Sequence, residues 1–231
     1  MYKFSIASSL KEEHCGIANL ELDDKLLGKP LADMNGCEVE EVRNQLIDSL
    51  CRAVLYTADI PAAEYDRWVR FFLNAHLIQA ENVLLSWACI DGASDEEIRK
   101  VIAIARSFSI RVLFRLEAAH MDAFDLKRYE TLRSEDTGLY YDPAEIVRMG
   151  KRPFHDVLYK CRVKDDVVFF RIHEMLYETF ANQLPGQGHC QIKECCSNLL
   201  CRHYQGYFSF VPYGPDLQDT IGSFQKMLRR M

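Results

Sequence analysis

The 231-residue sequence has no apolar run long enough to cross a bilayer, which takes about 20 residues. Its opening segment, MYKFSIASSLKEEHC, also lacks the continuous apolar core of a signal peptide. These absences point to a cytoplasmic protein with no membrane partner. There is no basic run either: 28 Lys and Arg stand against 34 Asp and Glu, a net charge of −6. A polyanion needs a cationic face, so no nucleic-acid partner is expected. No low-complexity segment or composition break divides the chain, which is long enough for one well-buried domain spanning 1–231.

Nine cysteines are present, an odd number, and most sit among apolar neighbours, as free thiols of a reducing compartment do. Cys195 and Cys196 are adjacent within a predicted helix, poor geometry for a disulfide or a zinc site.

The most legible stretch runs from Leu184 to Pro212, LPGQGHCQIKECCSNLLCRHYQGYFSFVP. Pro185, Gly186 and Gly188 predict a tight turn. Ile192, Cys195, Cys196, Leu199 and Leu200 recur at helical spacing, with Gly206 expected just past the helix end. Tyr207 to Val211 is rich in β-formers and is stopped by Pro212, which predicts a strand.

Upstream, strands are predicted over Tyr2–Ala7, Gly16–Leu22, Ala53–Thr57, Asn82–Trp87, Arg111–Glu117, Gly138–Asp142 and Val167–His173. Between them lie helices over Glu38–Leu50, with Val39, Val42, Leu46 and Ile47 inward, and Glu64–Gln79, burying Trp68, Phe71, Phe72 and Ala75. Ser94 and Glu97 form a capping box opening a third helix. Helices are further expected over Met121–Ser134, Phe154–Cys161 and Leu217–Leu228, and a loop over Asp23–Gly36. Such alternation favours parallel strands with right-handed crossovers, in a closed barrel or an open doubly wound sheet.

The order PGQG, helix, Tyr-Gln-Gly, strand, Pro resembles the end of a xylose-isomerase-like TIM barrel, and GLYYDPAEIVRMGKRPF resembles that family's sixth strand and the turn after it. The family holds sugar and sugar-phosphate isomerases and epimerases and a metal-dependent endonuclease branch. The resemblance implies an α/β fold, a single (β/α)8 barrel, and a small sugar or sugar phosphate as partner. It also implies a divalent ion (Mn, Mg or Zn) held by Glu, Asp, His and Glu at the ends of strands five to eight. The endonuclease branch fits least, because the chain has no basic face.

The resemblance maps the metal-binding Asp onto Asp142, with Glu145 where a His commonly follows. Strands five and seven admit two registers. In one, Glu117, Asp142 and His173 form a three-ligand metal site and serve as the catalytic groups. In the other, Arg115, Arg171 and Val211 replace three of the four ligands and the metal is lost. The two guanidiniums, with Asp142 and Glu145, then bind a small anionic or polyol ligand. Val211 is anchored by Pro212 and needs no register choice, which favours the second. Glu21, at the end of the second strand, and His189, beside the PGQG turn, complete the ligand-binding candidates. The oligomeric state is left open, a homo-oligomer included.

Overall fold

The computed structural model describes residues 2–8, 16–120, 124–210 and 217–231. A closed barrel of parallel strands is its frame, in the order β1-β10-β7-β6-β5-β4-β3-β2. These strands are β1 (Lys3–Ala7), β2 (Asn19–Asp23), β3 (Arg52–Ala58), β4 (Asn82–Leu85), β5 (Arg111–Arg115), β6 (Thr137–Tyr141), β7 (Val167–Arg171) and β10 (Tyr207–Phe210). A separate antiparallel pair, β8 (Glu174–Met175) and β9 (Asn182–Gln183), lies in the loop after β7. The helices are α1 (Asp24–Leu27), α2 (Gly36–Asp48), α3 (Tyr65–Leu77), α4 (Trp87–Ile90), α5 (Asp95–Ser107), α6 (Leu126–Leu132), α7 (Pro143–Arg148), α8 (Ile192–Leu200) and α9 (Leu217–Leu228). Among the described residues, no helix is long and apolar enough to cross a membrane.

The chain forms two compact units, one of Ser5–Arg115 and Asp122–Gly138, the other of Met1–Phe4, Leu116–Met121 and Leu139–Met231. In the first, the helix starts are written in short-range chemistry. Asn35 and Glu38 form a capping box on α2, and Ser94 and Glu97 form one on α5. The face of α3 carrying Trp68, Phe71, Phe72 and Ala75 is buried, with the Trp68 ring stacked on Phe72 at 5.3 Å. Burying an aromatic side chain fully contributes roughly 1.5–3 kcal/mol.

In the second unit, alternation along the strands sorts side chains to two faces. Tyr140, Phe169 and Tyr207 are register partners on β6, β7 and β10, and their rings stack at 5.7 and 4.8 Å. One residue on, Tyr141, Phe170 and Phe208 point the other way, toward the helices. The Tyr141 hydroxyl donates to the Pro153 carbonyl at 2.7 Å, and Phe208 meets Phe224 of α9. The next inward pair is therefore Arg171 and Ser209.

Several expected boundaries move. The fourth strand stops at Leu85, because Trp87 opens α4 with Ser86 as its N-cap. The fifth stops at Arg115 and the seventh at Arg171, which leaves Glu117 and His173 in the loops beyond. The segment expected as a loop between Asp23 and Gly36 holds α1 and a 3-10 turn over Leu31–Asp33. The helix expected over Met121–Ser134 is confined to Leu126–Leu132, with Asp125 as its cap, and Met121 lies outside the described residues. Pro153–Tyr159 is a π-helix. Ile47, expected inward, is 58% exposed. Gly206 serves close approach rather than helix ending: α8 stops at Leu200, and a Cβ on Gly206 would lie 2.2 Å from the Val168 carbonyl oxygen.

Candidate functional site

The site is built where β6 and β7 end. Asp142 follows β6 directly and caps α7, its Oδ1 accepting the Ala144 N–H at 3.0 Å. A carboxylate there complements the helix's unsatisfied N–H groups, and Pro143 suits the first helical position. Asp142 is only 4% exposed. Arg171, the last residue of β7, brings Nη1 to 3.5 Å from Asp142 Oδ2. His173, two residues on and on the same side by parity, places Nδ1 at 3.3 Å from Asp142 Oδ1. One buried carboxylate thus meets a guanidinium and an imidazole. Arg171 from one register and His173 from the other both converge on Asp142.

A further partner comes from the hairpin. Asn182, on β9, sets its Oδ1 3.1 Å from His173 Nε2, so both ring nitrogens are engaged. The hairpin's neighbourhood is held by Glu174, which is 3% exposed; its Oε2 accepts the Gly186 N–H at 3.0 Å and its Oε1 the Cys190 N–H at 2.7 Å. Burial raises the Glu174 carboxyl above its ordinary value, with these N–H bonds acting in the opposite sense. The chain passes Glu174 so closely that a Cβ on Gly188 would lie 2.5 Å from the Met175 carbonyl oxygen. Beneath Arg171, the Tyr140 ring centre is 5.6 Å from its Cζ, and the Tyr140 hydroxyl shares a 2.6 Å hydrogen bond with Ser209.

The remaining candidates are placed as follows. Glu117 lies 3.7 Å from His120 across a single turn. Glu145 accepts the Ala118 N–H at 3.0 Å and pairs with Arg148. Arg115 closes β5; Phe114 packs on Phe124 and Tyr129 of the helix side, so Arg115 faces inward by alternation. Glu21 is buried and its Oε1 accepts the Ser5 hydroxyl at 2.6 Å, placing it on the inner face with Ser5. His189 is exposed, and its Nδ1 accepts the Tyr177 N–H at 3.0 Å. Val211 and Pro212 lie outside the described residues. Sequence reasoning missed Asn182, which carries no periodic or motif signal because it acts through a hairpin that only folding creates.

No protein-family model matches the sequence and no curated protein matches it. Solved structures do resemble it. A xylose isomerase domain protein from Planctomyces limnophilus superposes with a TM-score of 0.74 at 10% identity, covering 99% of this chain and 96% of that one. The fold is that of a xylose isomerase-like TIM barrel. A D-tagatose 3-epimerase-like protein matches this barrel with a TM-score of 0.69 at 12% identity, covering 98% and 97% of the two chains. A xylose isomerase-like TIM barrel protein from Mycobacterium smegmatis, solved in complex with magnesium, gives 0.65 at 15% identity over 93% and 83%. In TIM barrels generally, active sites lie at the C-terminal ends of the strands, which is where Asp142, Arg171 and His173 meet.

The donor set here does not fit a divalent ion. A cation bound by Asp142 would sit beside the fixed positive charge of Arg171, and the carboxylate is already shared among an N–H, a guanidinium and an imidazole. Among the described residues, no three His, Cys, Asp or Glu side chains are grouped to hold a metal.

Proposed function

We propose that this barrel is a sugar or sugar-phosphate isomerase/epimerase-like protein in which Arg171 stands in for the positive charge that a metal supplies in metal-dependent barrels. The observation that carries the reading is the Asp142 carboxylate shared between Arg171 Nη1 at 3.5 Å and His173 Nδ1 at 3.3 Å. Isomerising or epimerising a hydroxycarbonyl sugar needs a base for the proton next to the carbonyl and a positive group for the oxygen that gains charge. With His173 donating its Nδ1–H to Asp142, the lone pair is on Nε2. Asn182 Oδ1, itself an acceptor, does not bond to that nitrogen in this state, and Nε2 is the base once the Asn182 amide turns away and substrate takes its place. Arg171, held by Asp142 and resting over Tyr140, supplies fixed positive charge with a planar fork of donors. The similarity to a D-tagatose 3-epimerase-like protein supports the substrate class at the level of fold.

A second reading, binding of a small anionic or polyol ligand without turnover, draws on one observation. Asp142 is already engaged by Ala144, Arg171 and His173, so what the cluster presents to a ligand is a held guanidinium and an imidazole. Deuterium exchange separates the two. Ketoses and ketose 6-phosphates are incubated with the protein in D2O with a chelator, and the carbon beside the carbonyl is read by NMR. Exchange that persists under chelation and is lost in His173→Gln supports the proton-transfer reading. Exchange that requires an added divalent ion overturns the arginine substitution, and saturable binding with no exchange establishes the second reading.

A further inference from the structure

The unit containing Leu139–Met231 also carries a cavity of about 580 Å3, which shares Glu174, Gly186, Gly188 and His189 with the hairpin's neighbourhood. Small-molecule sites fall in the range of about 300–1,000 Å3. Its walls come from the segment after α7 (Gly150, Lys151), the β8–β9 hairpin (Glu174, Tyr177) and the start of α8 (Lys193, Glu194). Asp142, Arg171 and His173 do not line it.

Three features of the lining select a ligand. Arg152, also at the wall, is committed to Asp156 at 3.2 Å, whereas the exposed ammonium groups of Lys151 and Lys193 make no ion pair among the described residues. Two uncommitted cations match a dianion better than a single carboxylate, and a phosphomonoester carries about −1.5 to −2 charges at pH 7. The third feature is Glu174, a buried carboxylate fixed by the Gly186 and Cys190 N–H groups. Each of its oxygens retains acceptor capacity, and Glu178 and Glu194 add two further carboxylates at the wall. Acceptors of this kind call for hydroxyl donors.

We propose that this cavity binds a small phosphorylated polyol of the sugar-phosphate class, the phosphate held by Lys151 and Lys193 and the hydroxyls donating to Glu174 and Glu194. The site is independent of proton transfer at Asp142 and His173. Charge-assisted contacts to phosphate are stronger than neutral ones, so affinity depends on the phosphate.

Titration calorimetry with ribose 5-phosphate and with ribose tests this, on the wild type, a Lys151→Ala/Lys193→Ala double variant, and Asp142→Asn. Both lysines are exposed, so the double variant keeps the fold, which its melting curve verifies. The expected result is saturable binding of ribose 5-phosphate, at least tenfold weaker binding of ribose, and at least a tenfold loss in the double variant, with the lysine-dependent binding retained in Asp142→Asn. Absence of saturable binding, equal affinity for the two sugars, or an unaffected double variant would overturn the proposal. So would loss of the lysine-dependent binding in Asp142→Asn, which would place all phosphate recognition at the strand-end cluster.

Discussion

His173 Nδ1 lies 3.3 Å from Asp142 Oδ1, joining the loop after β7 to the residue that caps α7. The same carboxylate holds Arg171, so it is at once a helix cap, an ion-pair partner and the anchor of an imidazole. Substitutions at this position separate those roles.

Asp142→Ala removes the cap, which costs about 1 kcal/mol, and breaks the buried ion pair with Arg171, which costs roughly 3–5 kcal/mol. Asp142→Asn keeps the cap, since asparagine serves as well there, and loses only the charge. Chemical denaturation should therefore rank wild type above Asn, and Asn above Ala. Equal stability of the two variants would show that the cap contributes nothing.

At Gly188 an added methyl group has nowhere to go, with the Met175 carbonyl oxygen 2.5 Å and Glu174 Oε1 2.8 Å from the ideal Cβ position. Gly188→Ala should destabilise by about 1–3 kcal/mol, the usual cost of overpacking. Gly28→Ala is a useful contrast: space there is open and the φ of +78° alone opposes the side chain. Thermal melts of both variants compare the two effects.

Asp95 offers a pH test. Burial works against its charged form, but hydrogen bonds from Arg128 at 2.9 Å and Thr131 at 2.8 Å prevail and hold its pKa below the ordinary 3.8. A depressed carboxyl pKa stabilises the fold above the unfolded-state value, and that contribution is lost as pH falls through the folded-state value. The stability gap between wild type and Asp95→Asn should thus be present at pH 7 and shrink below about pH 4. The group is partly solvent-screened, so the gap should be about 1 kcal/mol or less. A gap that widens on acidification would reverse the assigned sign.

Thiol labelling should divide the described cysteines into classes. Cys37 and Cys201 are exposed, while Cys89, Cys190, Cys195 and Cys196 are buried and burial raises all four thiols above their ordinary pKa. At pH 8 a disulfide reagent should modify Cys37 and Cys201 rapidly and the buried four only on unfolding. Peptide mapping of the labelled protein identifies which residues react.

Much of the barrel could be read from local pattern. The inward face of α3, the capping box at Ser94 and Glu97, and the β-rich run from Tyr207 each depend on residues within a few positions of one another. Asp142 was singled out by the resemblance of GLYYDPAEIVRMGKRPF to the family's sixth strand, and its role as the cap of α7 appears in the structure. The boundaries that moved, such as the stop of β7 at Arg171, turn on pairing between distant strands that no local pattern records.

What the sequence by itself determined was the alternation of strand and helix and the list of side chains that strand ends can present. Which of them meet was decided only by tertiary structure. Asp142 and His173 are 31 positions apart, and their contact follows from the register between β6 and β7, where a shift of one residue would turn every side chain to the opposite face. Asn182 and Glu174 enter through a hairpin whose pairing has no periodic signature. Local periodicity fixes the face a residue presents, while the partner it meets there is set by long-range hydrogen bonding and packing.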